Sequence, residues 1–550
     1  MMNVIAQILN NIKESINQII KELGIQTDQE IIFEIPRETN HGDYSTNIAM
    51  RLARELKQNP RQIAQNIVDK FDFEKLHLAK CEVAGPGFIN FFLDRKFLAS
   101  VILLINEIQE NYGKSDIGKN VKINIEFVSA NPTGYLHIGH GRGAAYGDSL
   151  ARIYEKIGYK VCREHYVNDA GNQIYNLAVS IYERYKELFG LPCQLGEDSY
   201  HGPEIIEIAK KIKEEYGDKY LHQDYVSDFK KIGVETLLAG LRKDLEDFNV
   251  RFDIWYSEQS LYDNGDVERT LKFLQENNFT YEKDGAIWLK SSEYGDEKDR
   301  VLVKSDGTLT YLAPDIAYHM NKLSRGYDYL IDVLGADHHG YVPRLKAAIA
   351  MIGGNPNLID VEILQMVRVI QNGEEIKMSK RSGKAITLRD LIDEVGTDAL
   401  RFMYISKALS THMDLDLDLA IKNSNENPVY YVQYAYARIC SLFRTFAEQG
   451  KEFVPVKQFK KLDFEKNDQI LLLLLQYPEI IQEAASKRLP HKIAQYTLDL
   501  AASFHSFYGD EKIITDDIEE TLEKLTLLKA VQIVLKDALS LIGVGVKEKM

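Results

Sequence analysis

Residues 121–127 read Val-Lys-Ile-Asn-Ile-Glu-Phe, and this stretch, together with the chain from Val128 to Ile157, decides the fold class. Val121, Ile123, Ile125 and Phe127 alternate with Lys122, Asn124 and Glu126, the period of two of a β-strand. Residues 129–134 break the pattern with Asn131-Pro132-Thr133-Gly134. From about His140 the spacing is helical, with Tyr146, Leu150, Ile153, Tyr154 and Ile157 on one face. Strand, glycine-bearing loop and helix open a βαβ unit.

Further strand signals lie at 300–304, 309–312, 329–334 and 361–370, separated by helical stretches. The alternation predicts an α/β domain at 115–413 with a doubly wound, Rossmann-like parallel sheet. Residues of about 185–295, rich in Lys, Glu and Tyr, read mostly as helix and as an insertion. Ahead of this domain, residues 1–110 mix helical and strand patterns, an α+β domain ending at a polar stretch with Gly113 and Gly118. From 414 to 550 helix follows helix, an all-α bundle.

The chain has 550 residues, 45% hydrophobic and 27% charged, which fits a soluble globular protein and excludes fibrous or disordered classes. Its 67 basic and 82 acidic residues give a net charge of −15, so a nucleic acid would have to be met by local basic surfaces. Cys81, Cys162, Cys193 and Cys440 form no CxxC pair, which excludes a zinc ribbon and a thioredoxin-type site and makes no disulfide scaffold. Residues 1–23 carry Lys13, Glu14 and Lys21 and lack the apolar core of a signal peptide. The most apolar run, 470–475, is far short of the ~20 residues that a membrane span needs. We expect a cytoplasmic protein without a membrane partner.

Two segments carry chemistry. The first is Asn131-Pro132-Thr133-Gly134-Tyr135-Leu136-His137-Ile138-Gly139-His140, in the loop after the first strand. In open α/β sheets such loops line the ligand crevice, and a helix N-terminus there offers N–H groups to a phosphate. His137 and His140 add donors for developing phosphate charge, and Gly139 leaves room for a flat base. Alone, a His-x-x-His is ordinarily a pair of surface or capping histidines. The second segment, 373–384, sets Lys377, Lys380 and Arg381 between Gly373 and Gly383 with Lys384 following, a loop able to close cations over a triphosphate. No Walker-type loop is present, and Gly141, Gly143 and Gly147 have the wrong spacing for a dinucleotide fingerprint.

Together the segments resemble a class I aminoacyl-tRNA synthetase, whose HIGH motif stands here at 137–140 and whose KMSKS loop reads KMSKR at 377–381, with Arg381 departing from the pattern. The stretches 126–132, 165–173, 311–317, 335–341, 398–402 and 543–550 resemble arginyl-tRNA synthetases of the bacterial type, and 41–47 and 84–90 resemble that family's additional N-terminal domain. The resemblance implies ATP-dependent ligation of L-arginine to the 3′-terminal adenosine of arginine tRNA through arginyl-adenylate, with Mg²⁺ accompanying ATP; adjacent His338 and His339 point differently and have no evident third ligand, so no metal site is expected. It assigns catalysis and ATP binding to His137, Gly139, His140, Lys377 and Lys380, and the guanidinium to Tyr311 and Asp315, with Asp337 ranked second. Glu126, Ser129 and Asn131 are assigned to the amino and carboxylate end. A carboxylate suits arginine, whose planar cation can donate two parallel hydrogen bonds. The family's N-terminal domain would contact tRNA and the bundle would read the anticodon, with Tyr430, Tyr434 and Arg438 offering aromatic and guanidinium planes to unstacked bases. The chain is expected to act as a monomer. The alternatives are a small HIGH-bearing adenylyltransferase, which the chain length disfavours, a lysine-specific class I enzyme, and a catalytically silent tRNA-binding relative, which intact His137, His140, Lys377 and Lys380 disfavour.

Overall fold

Strand β1 (Lys122–Glu126) lies at the centre of a five-stranded, wholly parallel sheet with β2 (Lys160–Val167), β3 (Ile254–Ser257), β4 (Tyr329–Gly335) and β5 (Ile359–Leu364). The order is β5-β4-β1-β2-β3, the doubly wound arrangement, whose winding reverses between β1 and β4. Ligands of such sheets bind at the carboxyl ends of the strands beside that reversal. The computed structural model describes residues 4–36, 38, 41–377, 385–464 and 467–550, without the side chains of Ala6, Asp337 and His339.

The interior of β1 is buried on both faces, as a central parallel strand requires. Helix α1 (Ile138–Lys156) starts inside the histidine segment rather than after it, because His137 and His140 cap it. Gly147 lets α1 lie close on the sheet, since a Cβ there would come within 2.2 Å of the Phe127 ring. Of the glycines that fail a dinucleotide fingerprint, Gly141 and Gly147 thus serve packing.

Several expectations need correction. The region 185–295 is not one insertion, because β3 lies within it and pairs with β2 in the parallel sheet. Helices Asn172–Glu187, Pro203–Tyr216 and Val226–Asp247 precede β3, and the strands Thr280–Lys283, Ala286–Leu289 and Arg300–Val303 follow it as a small antiparallel sheet. The strand expected at 309–312 is an isolated bridge at Leu309, and Leu312 opens helix α2 (Leu312–Ser324), whose first turn holds Pro314 and Asp315. The expected strand 361–370 is two, β5 and Val367–Gln371, in different sheets. Met413–Asp416 pairs in parallel with the second of these, so strand structure continues past residue 414.

The N-terminal region has the helix Val4–Glu22 and a three-stranded antiparallel sheet of Tyr44–Thr46, Phe88–Leu93 and Leu78–Ala84. The C-terminal region is built of α3 (Pro428–Glu448), α4 (Asp468–Ser486), α5 (His491–Asp510) and α6 (Ile518–Leu541). Its core is continuous with that of α1 and of the N-terminal region: Ile102, Ile153 and Leu528 belong to one buried apolar cluster. Fully buried Arg401 reinforces the junction, donating to Asp148 on α1 at 2.6 Å and to the Ile542 carbonyl at 3.0 Å. Among the described residues no helix is long and apolar enough to cross a membrane.

Candidate functional site

The loop after β1 turns sharply through Val128 (φ 70°) and Ser129 (φ 41°), a left-handed conformation that a β-branched residue rarely adopts. The Ser129 hydroxyl holds it, donating to Glu126 Oε1 at 2.9 Å and accepting the Tyr166 N–H at 3.2 Å. Further along, His137 Nδ1 accepts the Gly139 N–H at 3.1 Å, and His140 Nδ1 accepts the His137 N–H at 3.2 Å. Both rings therefore carry their proton on Nε2. They stack with centroids 3.6 Å apart. A Cβ on Gly139 would press on the His137 ring at 3.1 Å. Desolvation lowers the His137 pKa although the residue keeps an exposed edge, and desolvation together with His137 and His165 pushes His140 down to about 3. The pair is neutral at pH 7 and presents N–H donors, not cations.

Lys377 is exposed at the end of the hairpin of Val367–Gln371 and Glu374–Ile376. Lys380 and Arg381 lie outside the described residues. Where the chain is described again, Thr387 bridges to His137 and caps helix Leu388–Val395.

The crevice beside β1 and β4 holds a buried charge array. Asp332, Glu126 and Glu164 stand at one register level on β4, β1 and β2. Opposite them, α2 presents His319 and Lys322, and its C-cap residue Arg325 continues the spacing of three. Lys322 Nζ donates to Asp332 Oδ1 at 2.9 Å and to Glu126 Oε2. Arg325 grips Glu164 through two bonds of 2.7 and 2.8 Å. His319 Nε2 is 3.0 Å from Asp332 Oδ2. Burial raises the Glu126 pKa despite Lys322, whereas Lys322 and His319 outweigh burial at Asp332 and hold its carboxyl low.

Asp315 sits in the first turn of α2. The Tyr341 hydroxyl donates to its Oδ2, and His319 Nδ1 lies 3.2 Å from its Oδ1. Tyr311, assigned with Asp315 to the guanidinium, lies at the N-cap of α2 and is 76% exposed, whereas Tyr341 makes the tyrosine contact to Asp315. Asn131 is exposed and donates to Gln173 at 2.8 Å. Asp337 lies in the 3₁₀ turn Ala336–Tyr341 after β4, and its side chain is outside the described set. Sequence reasoning missed Tyr341, His319, Lys322 and Glu258. Glu258, directly after β3, is 6% exposed, and burial foremost, with Asp169 and Asp315 adding, lifts its carboxyl to about 7. The spacing of His319, Lys322 and Arg325 on a helix following two acid-bearing strands was the available signal.

On the bundle, Tyr430 and Tyr434 stack with centroids 6.0 Å apart, and Arg438 lies over Tyr434 and over Tyr508 at 5.4 and 5.0 Å. His505 stacks on Tyr434 at 5.9 Å, so α3 and α5 form a partly exposed aromatic and guanidinium surface that includes two unanticipated residues. Among the described residues no group of three or more His, Cys, Asp or Glu could hold a metal ion.

Comparison with known proteins places these features in a family. The model described as the catalytic domain of class I (R) tRNA synthetases matches residues 102–412. The arginyl-tRNA synthetase N-terminal domain model matches 10–93, and the DALR anticodon-binding domain model matches 432–550. The chain is 50% identical to the arginine–tRNA ligases of Geobacillus thermodenitrificans and of Bacillus subtilis, with 100% of each chain covered. It shares its fold with the arginyl-tRNA synthetase of Thermus thermophilus, at a TM-score of 0.73 and 22% identity over 98% of this chain and 100% of that one.

Proposed function

The chain belongs to the arginyl-tRNA synthetase family, and on that premise we propose how its residues divide the work of an arginine–tRNA ligase. The enzyme joins L-arginine to the 3′-terminal adenosine of arginine tRNA, using ATP. The arginine carboxylate attacks the α-phosphate, giving arginyl-adenylate and pyrophosphate. The arginyl group then passes to the tRNA, at the 2′-OH as in class I enzymes.

No side chain acts as a covalent nucleophile. His137 and His140 offer Nε2–H donors at the N-terminus of α1, and Lys377 and Lys380 close positive charge over the departing pyrophosphate. Gly139 leaves the adenine its place. Mg²⁺ accompanying ATP would offset triphosphate charge beside the histidine donors. Asp315 receives the guanidinium, Tyr311 covers its face, Glu258 stands near as a further carboxylate, and Asp337 is the second-ranked candidate that the resemblance offers. Glu126, Ser129 and Asn131 take the amino and carboxylate end. The bundle surface of Tyr430, Tyr434 and Arg438 holds anticodon bases, and residues 1–110 contact the tRNA elsewhere. The enzyme works as a monomer in the cytoplasm, as the family resemblance led us to expect.

One observation carries this reading. The loop that leads from β1 to the capped histidines is linked to the Asp315 pocket from Ser129 through Glu126, Lys322, Asp332 and His319, beside β1 and β4. The test is arginine-dependent ATP–pyrophosphate exchange. As the family resemblance implies, exchange should be nearly absent until arginine tRNA is added, because tRNA must favour the competent arrangement through differential affinity. Vigorous exchange without tRNA would overturn the coupling.

A further inference from the structure

The buried array beneath the arginine pocket matches three carboxylates, Asp332, Glu126 and Glu164, with three nitrogen bases, His319, Lys322 and Arg325. Lys322 and Arg325 are cations at any pH of interest. With all three carboxylates ionised, the array is neutral when the His319 ring is protonated.

The ring reaches beyond the array. Its Nε2 is 3.0 Å from Asp332 Oδ2, while Nδ1 is 2.9 Å from the Asp315 carbonyl and 3.2 Å from Asp315 Oδ1. A neutral imidazole has one N–H and could not donate to both carboxylates; an imidazolium can. The groups facing His319 are Asp332 on β4, Glu126 on β1, and Asp315, Tyr318 and Lys322 on its own helix, with Tyr341 behind Asp315. With the ring 3% exposed, burial opposes its charge, yet Asp315 and Asp332 raise its pKa to about 10.

Resting on the reading of Asp315 as the guanidinium partner, we infer that His319 is a positioning residue for arginine selection: as an imidazolium it neutralises the carboxylate row and anchors Asp315. Below about pH 7, where the raised Glu258 carboxyl is largely neutral, the Asp315 charge is then the negative charge left over. Free arginine carries one net positive charge, so the complex closes balanced. A neutral amino acid of similar shape would leave a buried, unpaired anion, the costly case for an ion in a protein interior. A neutral His319 would leave the arginine complex one charge short.

The inference is tested on the full-length protein by ¹⁵N-imidazole NMR together with steady-state kinetics of His319→Gln and Asp315→Asn. In the wild type one histidine should keep both ring nitrogens protonated from pH ~6 to ~9, where an ordinary histidine is neutral over most of the range. Its signals should vanish in His319→Gln and shift in Asp315→Asn. His319→Gln should raise the arginine KM at least ~10-fold, chiefly without loss of kcat, and leave the ATP KM unmoved, because the anchoring acts on ground and transition states alike. A merely structural histidine would lower stability without that split. Should the variant fail to fold, the wild-type spectrum still decides. Ordinary titration of all histidines, or a wild-type arginine KM in His319→Gln beside a crippled Asp315→Asn, overturns the inference alone. Unchanged arginine kinetics in Asp315→Asn overturn the guanidinium reading and this inference with it.

Discussion

The Leu388 main-chain N–H donates to the Leu136 carbonyl at 2.7 Å, so the chain leaving the lysine loop is pinned to the loop that carries His137 and His140. The bridge between Thr387 and His137 strengthens the same junction, and the capping box of Thr387 and Asp390 fixes the helix behind it. One end of the cationic loop is thereby held beside the helix N-terminus at which triphosphate would bind.

The phosphate groups should matter in the transition state more than in binding. Lys380→Ala and His140→Ala should each lower kcat by ~10²-fold or more with a smaller effect on the KM for arginine, measured by single-turnover adenylation. Because desolvation holds His140 near 3, it stays neutral through the working range. Its contribution should therefore show no ionisation between pH ~5.5 and ~7.5, unlike that of an ordinary histidine. A kcat step near neutrality that disappears in His140→Ala would contradict this.

Asp315→Asn should cost about 3–5 kcal/mol in arginine kcat/KM, since it removes one partner of a buried ion pair, while ATP binding stays near the wild-type value. Tyr341→Phe removes one hydrogen bond to that carboxylate. Its loss should be smaller, about 1.5–3 kcal/mol, again in arginine kcat/KM. If Tyr311→Phe costs as much as Tyr341→Phe, Tyr341 is not what orients Asp315.

Glu258 predicts a pH dependence. Burial raises its carboxyl to about 7, so the group is largely neutral below that value and anionic above it. Arginine favours the anion, so the arginine KM should fall as pH rises through about 7. The stability term runs the opposite way. A raised carboxyl contributes fully below its unfolded value and loses that contribution as pH rises through the folded one. Glu258→Gln should flatten the KM profile and raise Tm relative to wild type above neutrality. A KM profile of unchanged slope in Glu258→Gln would remove Glu258 from the pocket.

The bundle surface should govern tRNA use. Tyr434→Ala should raise the KM for tRNA, with stacking worth about 1–3 kcal/mol per base. Arg438→Ala should do so too, and should lessen the salt dependence if the guanidinium meets phosphate. Point variants are the right tool here. Arg401 is sealed against the Ile542 carbonyl, and Gly543 has no room for a Cβ, which would fall 2.2 Å from the Arg401 guanidinium carbon. Removing the bundle would therefore expose the core it shares with α1.

Parts of this architecture are legible in the sequence for simple reasons. The strand at 122–126 alternates cleanly, and the glycine-bearing loop after it interrupts that period. The family resemblance led to Asp315, which the structure sets against Tyr341 and His319 in one pocket. Strand β3 was hidden because Ile254–Ser257 is short, half-buried and flanked by helices. The stretch 309–312 alternates like a strand, but Pro314 and Asp315 start a helix at once. Beyond the three-residue spacing of His319, Lys322 and Arg325, the charge array could not be seen along the chain. Glu126, Glu164, Asp332 and Lys322 lie up to 206 positions apart and meet only through parallel register and helix packing.

The most direct single measurement is ATP-dependent charging of unfractionated tRNA with each of the twenty amino acids in turn, using the wild-type chain and Asp315→Asn. The account predicts that the wild type attaches arginine alone, to arginine tRNA, and that Asp315→Asn loses nearly all of that activity. Charging with a different amino acid, or arginine charging untouched by Asp315→Asn, would contradict it.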